Sequence, residues 1–114
     1  MHITNLDKVK KTVPKMEGAE RVLKQIPISK EDGTPNFSFR VFTIEHDGHT
    51  PLHSHDFEHL NYIIEGNGQV VQTDGYKSVK KGDFVLIKPG ETHQYRNTST
   101  KPLVMICAVP KEYE

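Results

Sequence analysis

The stretch DGHTPLHSHDFEHLNYIIEG, residues 47–66, contains three histidines, His53, His55 and His59, that decide how the chain is interpreted. A fourth, His93, lies in a second stretch, GDFVLIKPGETHQYRN, residues 82–97. Histidines that only face solvent would be scattered, whereas five of the seven in this chain lie between positions 46 and 59. Neutral imidazole is the commonest metal ligand near pH 7. We therefore predict that these four histidines line one metal site.

The spacing of the histidines supports this prediction. His53 and His55 are two residues apart, which on a β-strand directs both imidazoles to the same face. His59 follows after four residues, and it can return to that face if residues 56–58 form a bulge or a tight turn. An isolated His-x-His pair on a polar loop would be weak evidence, so the prediction depends on the third histidine and on the second stretch.

Other histidine-rich metal motifs fit the sequence less well. The metallo-hydrolase run His-x-His-x-Asp-His would require Asp and His where the chain has Phe57 and Glu58. A helical His-Glu-x-x-His motif is absent. Cys107 is the only cysteine, so a structural zinc finger and an internal disulfide are both excluded.

Length and composition limit the remaining possibilities. A chain of 114 residues fits one domain, and its hydrophobic content of 34% favours a small closed sheet over a large core. Fifteen basic residues balance fifteen acidic ones, so we expect neither nucleic acid nor an anionic membrane as a partner. No apolar run approaches the roughly 20 residues that a membrane helix needs, and the N-terminus lacks a secretory signal pattern. We expect a cytoplasmic protein.

Short alternating segments predict an all-β fold. Residues 1–18 are interpreted as an N-terminal arm, and residues 19–110 as a single β-barrel or sandwich. Pro27 indicates that residues 19–28 form an edge strand, because proline cannot donate a ladder hydrogen bond. Further strands are predicted at residues 37–44, 50–55, 59–65, 68–73, 76–79, 84–87, 93–97 and 103–109, separated by glycine-containing turns.

The two histidine-bearing stretches resemble the two sequence motifs of the cupin superfamily. The first resemblance is carried by His53, His55, His59 and Gly66, and the second by Gly82, Lys88, Pro89, Gly90, His93 and Asn97. It implies a double-stranded β-helix, also called a jelly-roll barrel, with a metal inside one mouth. The chain departs from the family pattern at Asp47, which replaces a glycine, and at Lys88, which replaces a proline. His59 stands where a glutamate ligand is usual, so the chain resembles small single-domain cupins with a four-histidine manganese site.

The resemblance implies one divalent transition-metal cofactor, with manganese favoured and iron, nickel, copper or zinc as alternatives. Four imidazole ligands carry no charge, so the ion would keep its full positive charge and attract anionic or enolate-like oxygen ligands. Four protein ligands on an octahedral ion also leave two positions for a substrate, or for substrate and dioxygen. Strand alternation and the resemblance together predict pocket-lining positions at Asn61, Ile63, Tyr95, Met105 and Cys107. The sequence does not identify a separate catalytic acid or base.

The functional prediction is a metal-dependent oxygenase, of the dioxygenase type, that acts on a small oxygen-bearing organic molecule. Two alternatives remain open: a metal-dependent isomerase or lyase, and a non-catalytic module that binds a small ligand around a structural metal. Fold alone does not decide between them. We also expect a homodimer in which N-terminal strands pair with or cross to the partner, because an edge strand and an arm leave surface to cover.

Overall fold

The computed structural model describes residues 1–114, which form eight β-strands and only three short 3₁₀ helices. The strands are β1 (Glu20–Ile28), β2 (Phe37–His49), β3 (His59–Glu65), β4 (Asn67–Gln72), β5 (Gly75–Lys80), β6 (Phe84–Ile87), β7 (Gln94–Arg96) and β8 (Leu103–Pro110). The 3₁₀ helices are Leu6–Lys8, Lys30–Asp32 and Lys111–Tyr113. No helix is long and apolar enough to span a membrane. The predicted all-β, double-stranded β-helix class is confirmed.

All eight strands belong to one sheet that curls around a core. The strand order is β5-β4-β7-β2-β8-β3-β6, and β1 pairs with the other side of β2. The longest register joins β2 to β8, from Phe37 opposite Pro110 to Ile44 opposite Leu103. On its other edge β8 pairs with β3, which pairs in turn with β6. This order brings the two histidine-bearing stretches together, because β3 ends the first stretch and β6 lies in the second.

The core is filled by aliphatic side chains from strands on opposite sides of the barrel. Five of these side chains are almost completely buried: Ile44, Ile63, Leu103, Met105 and Val109. Burying such a side chain contributes about 1.5–3 kcal/mol each to folding. These residues are spread along the barrel, and Met105 also lines the cavity beside the histidines.

The prediction of a strand at residues 50–55 is wrong. This segment forms a loop with one isolated bridge, between His53 and His93. Two features explain the difference. Pro51 has no N–H to donate to a ladder, and β2 continues to His49, through the predicted loop at Asp47. Asp47 takes a left-handed backbone with φ of 62° and donates its N–H to the Asn97 carbonyl at 3.0 Å.

The N-terminal arm lies along β1 of its own chain. Thr12 forms an isolated bridge with Lys24, with N···O distances of 2.9 and 2.8 Å. The buried Gln25 side chain donates to the carbonyls of Leu6 and Val9, at 2.9 and 2.8 Å. These bonds satisfy an amide that would otherwise be buried without partners. The arm therefore covers the free edge of β1.

Candidate metal centre

His53, His55 and His93 converge at one end of the barrel. One nitrogen from each ring can be chosen so that all three lie within 4.8 Å of one another. The backbone bridge between His53 and His93, with N···O distances of 3.1 and 2.9 Å, joins two of them. The N–H of Gly90 donates to the His55 carbonyl at 2.8 Å and fixes the third. The predicted clustering of histidines from both stretches is therefore present for these three residues.

Backbone carbonyls determine which ring nitrogens remain available. The Nδ1 atom of His55 lies 2.8 Å from the Phe57 carbonyl, and that of His93 lies 2.8 Å from the Glu91 carbonyl. A carbonyl can only accept, so each Nδ1 carries the proton and each Nε2 keeps a lone pair. This is the arrangement that fixes tautomer and ring orientation in histidine metal ligands. The Nε2 atom of His55 is buried and has no protein partner, so a metal ion fits this set of donors.

The electrostatics of the cluster favour the neutral imidazoles of His53 and His93. Burial, followed by the nearby rings of His93 and His55, lowers the pKa of His53 from 6.5 to about 4. Burial also lowers the pKa of His93, although its hydrogen bond to the Glu91 carbonyl opposes this shift. Only the neutral imidazole presents a lone pair to a metal. At neutral pH His53 and His93 therefore do not have to lose a proton before they bind a metal ion.

His59, the predicted fourth ligand, lies beside the three-histidine cluster but is engaged elsewhere. Its ring centroid is 4.2 Å from that of His55 and 5.5 Å from that of His93. Its Nε2 atom lies 3.3 Å from Nη2 of Arg40. A guanidinium can only donate, so this nitrogen accepts the hydrogen bond and its lone pair points to Arg40. Burial and then the charge of Arg40 lower the pKa of His59 to about 2.

A cavity of about 280 Å³ opens next to the histidines. Four of the five predicted pocket residues line it: Asn61, Tyr95, Met105 and Cys107. Ile63 does not, because it is completely buried in the core. Tyr95 donates its hydroxyl to Oδ1 of Asn61 at 2.8 Å, and the Asn61 amide donates to the Ile106 carbonyl at 3.3 Å. Burial raises the pKa of Tyr95, so its hydroxyl remains a donor that holds Asn61 in place.

Sequence reasoning missed the most unusual residue of the cavity, Arg40. On β2 it alternates with exposed Phe37 and Phe39 and shares its face with buried Phe42 and Ile44. The sequence did contain one indication of its burial: Arg40 is two and four residues from the apolar Phe42 and Ile44, so on a strand all three face the same side.

The aromatic cover of the cavity was also missed. The ring of Phe57 stacks on His55, with centroids 4.1 Å apart, and on Tyr113, with centroids 3.9 Å apart. Tyr113 comes from the C-terminal 3₁₀ helix, which sequence periodicity could not connect to the site.

Comparison with known proteins identifies the family. Residues 40–109, which include all four histidines, match the family model described as Cupin_2, a cupin domain. The chain belongs to the cupin family. One structural neighbour is the polyketide cyclase RemF from Streptomyces resistomycificus. It superposes with a TM-score of 0.93 at 26% identity, covering 97% of this chain and 80% of that one.

Two curated relatives extend the comparison. A gentisate 1,2-dioxygenase 1 of Aquipseudomonas alcaligenes is 33% identical over 55 residues, which is 47% of this chain and 16% of that protein. An uncharacterised protein of Aquifex aeolicus is 30% identical over 104 residues, covering 90% of this chain and 81% of that protein. The cupin described here thus spans only a small part of the dioxygenase that it matches.

Proposed function

We propose that this cupin is a metal-dependent enzyme that acts on a small oxygen-bearing organic molecule bound in the cavity beside the histidines. The observation that carries the proposal is the buried, unpartnered Nε2 of His55, in a cluster where one ring nitrogen each of His53, His55 and His93 lie within 4.8 Å of one another. We propose one divalent transition-metal ion as the cofactor, with manganese favoured over iron, nickel, copper and zinc. His59 would complete the ligand set by giving up its hydrogen bond to Arg40.

The residues around the cluster support a catalytic role for the cavity. A divalent ion held there would supply a Lewis acid that polarises a substrate oxygen. Phe57 stacks on the His55 ring, and Tyr113 stacks on Phe57 in turn. The Tyr95 hydroxyl donates a hydrogen bond to Asn61, so these two polar side chains are held in place in the cavity wall and satisfy each other. The cavity is small but open to the histidines, which suits a reaction on a compact substrate.

An oxygenase reaction is the first candidate, and it is supported by the local similarity to a gentisate 1,2-dioxygenase. We expect untagged protein to contain a stoichiometric redox-active metal and to consume dioxygen when it is given catechol or a dihydroxybenzoate. An oxygen electrode and elemental analysis provide the measurements. Dioxygen uptake should disappear in a His93→Ala variant. Absence of metal from the untagged protein, together with failure to load any of the five metals, would contradict the proposal.

A non-oxidative reaction is the second candidate, and it is supported by the full-length similarity to a polyketide cyclase structure. A metal-dependent cyclase, isomerase or lyase would need the same Lewis acid but no dioxygen. Turnover under strictly anaerobic conditions, followed by mass spectrometry of the product, separates the two candidates. A product that forms equally well without dioxygen would favour this second reaction class over the first.

We also propose that the protein is a homodimer. Because the arm covers the edge of β1, we place the contact on the outer face of β2, β3 and β6. Large apolar side chains are exposed on this face: Phe37, Phe39, Leu60, Phe84 and Leu86. The face carries no charged side chain in its groove, so a second copy of the same face matches it better than a charged partner does.

Substitution at the most exposed of these residues tests the dimer. Phe84 is 82% exposed in the single chain, and we expect Phe84→Asp to yield a monomer because a buried carboxylate would be unpaired. Light scattering coupled to gel filtration should give about twice 13.0 kDa for the native chain and 13.0 kDa for the variant. Tyr76→Asp, on β5 outside this groove, is the matched control and should stay dimeric. A native mass of 13.0 kDa at every concentration would refute the dimer.

A further inference from the structure

Arg40 is a buried cation that has no carboxylate partner. Its side chain is only 7% exposed, and no acidic group lies within 4.0 Å of it. Nη2 contacts Nε2 of His59 at 3.3 Å and Sγ of Cys107 at 3.0 Å, and Nη1 donates to the Tyr113 carbonyl at 3.4 Å. None of the three partners is a carboxylate. The Nε–H is buried and has no partner at all.

The charges around Arg40 leave the cavity positive. Lys24 lines the same cavity, and burial followed by repulsion from Arg40 lowers its pKa. The single carboxylate in the lining belongs to Glu114, and it is already engaged. It accepts hydrogen bonds from the Ser38 hydroxyl and from the backbone N–H of Lys30, the latter at 2.9 Å. This carboxylate also opposes the lowering of the Lys24 pKa, so it offsets one of the two cations. The cavity keeps an excess of positive charge before any metal is considered.

One part of the cavity wall is apolar and aromatic. The Arg40 guanidinium carbon lies 5.0 Å from the ring centroid of Phe42, which keeps the cation against a flat surface. Phe57, Met105 and Tyr113 add further apolar surface to the lining. A volume of about 280 Å³ is slightly below the usual range for small-molecule sites, about 300–1,000 Å³. The space suits a molecule with one ring or a short unsaturated chain.

An isolated buried charge is costly unless something compensates it. Replacing such a charge with an apolar side chain of similar shape often stabilises a protein. A guanidinium also offers a planar fork of donors that matches a carboxylate in two hydrogen bonds. In this cavity the uncompensated cation of Arg40 and the apolar part of the wall are complementary to one kind of ligand.

We propose that Arg40 binds the carboxylate of a small organic acid whose ring-sized apolar body packs against the aromatic wall, next to the histidines. The inference rests on the proposed function and extends it by naming the chemical class of the substrate. Lys24 adds positive charge to the same cavity. Phe57 and Tyr113 provide the surface for the body of the ligand. Arg40 is here a binding residue that selects anionic over neutral molecules of the same shape.

Benzoate and benzamide provide the test, because they share a shape and differ in charge. We expect the native protein to bind benzoate more tightly than benzamide in isothermal titration calorimetry, with and without a metal chelator. Arg40→Met should weaken benzoate binding by about 10- to 100-fold and leave benzamide unchanged. Arg40→Lys keeps the charge but loses the planar fork, so it should restore part of the affinity. Arg96→Met, at an exposed position on β7, is the matched control and should bind like the native protein.

Thermal unfolding of the same variants separates a binding role from a structural one. A binding role predicts that Arg40→Met melts at an equal or higher temperature than the native protein, because an uncompensated charge has been removed. Equal affinity of Arg40→Met and native protein for benzoate would overturn the proposal, as would a lowered melting temperature with unchanged binding.

The outcome is also independent of the metal. Benzoate binding that persists with chelator and requires Arg40 would support the inference even if no metal can be loaded. Benzoate binding that requires metal but not Arg40 would overturn the inference and leave the proposed metal centre intact.

Discussion

Replacement of His93 by alanine is expected to weaken binding of a divalent metal by at least about 100-fold. Removing a residue that only hydrogen-bonds to a metal ligand already lowers metal affinity by about 10- to 100-fold. Removing the ligand itself should therefore lower it by more. His93 is buried, and its proton lies on the nitrogen that faces the Glu91 carbonyl, so the substitution removes the Nε2 lone pair that points to the other histidines. Competition titration with a coloured chelator, on protein without a histidine tag, measures the change.

Two further histidine variants make this experiment specific. His46→Ala removes an exposed imidazole that lies outside the cavity and binds the Ser99 carbonyl at 2.6 Å, so its metal affinity should equal that of the native protein. His59→Ala tests the proposed fourth ligand and should weaken binding by about 10-fold or more. Native affinity in His59→Ala would limit the site to three histidines. Native affinity in His93→Ala would remove the basis of the metal site.

Substitution of Gly66 by alanine is expected to destabilise the protein by about 3 kcal/mol or more. Gly66 has a φ of +86°, and an alanine in left-handed backbone costs about 1–2 kcal/mol. A Cβ atom there would also lie closer than 3.0 Å to the Pro102 carbonyl oxygen, which is backbone and cannot rotate away. The substitution therefore combines backbone strain with a displacement of the segment that leads into β8.

Gly33→Ala is the matched control for this prediction. Its φ is +89°, but a Cβ at that position would meet nothing within 4 Å. It should therefore cost only the strain, about 1–2 kcal/mol. Urea unfolding of both variants in the presence of chelator measures the two free energies of unfolding without a contribution from metal. If both variants lose the same free energy of unfolding, the contact with Pro102 does not add to the cost of the substitution.

Local patterns allowed much of the fold to be predicted. Alternation with a period of two and glycine turns give β3, β6 and β8 close to their observed bounds, because these signals depend only on near neighbours in the chain. They also give the start of β2, which continues five residues beyond its predicted end at residue 44. Prediction failed at residues 50–55. There the chain is held by one bridge to His93 instead of a continuous ladder, and that partner lies forty residues away from His53.

Burial was harder to predict than strand position. Alternation along β2 defines two faces, but the sequence does not say which one is inside. The inner face holds Ser38 and Arg40, whereas Phe37 and Phe39 are exposed. This choice is set by the pairing of β2 with β8, which places Arg40 opposite Cys107 at the cavity. Ile63 likewise belongs to the core because of its depth in the barrel, which alternation does not encode.

The sequence by itself determined the fold class, the family resemblance and a histidine cluster drawn from two separate stretches, because ligand chemistry and strand periodicity are written in residue type and spacing. Only the tertiary structure decided that Nε2 of His55 is left free and that Nε2 of His59 accepts from Arg40. It also decided that this cation has no carboxylate partner. Those properties depend on hydrogen-bond partners contributed by β2 and by the backbone of loops. Such contacts join residues that are far apart in the chain, so the pattern of neighbouring residues does not predict them.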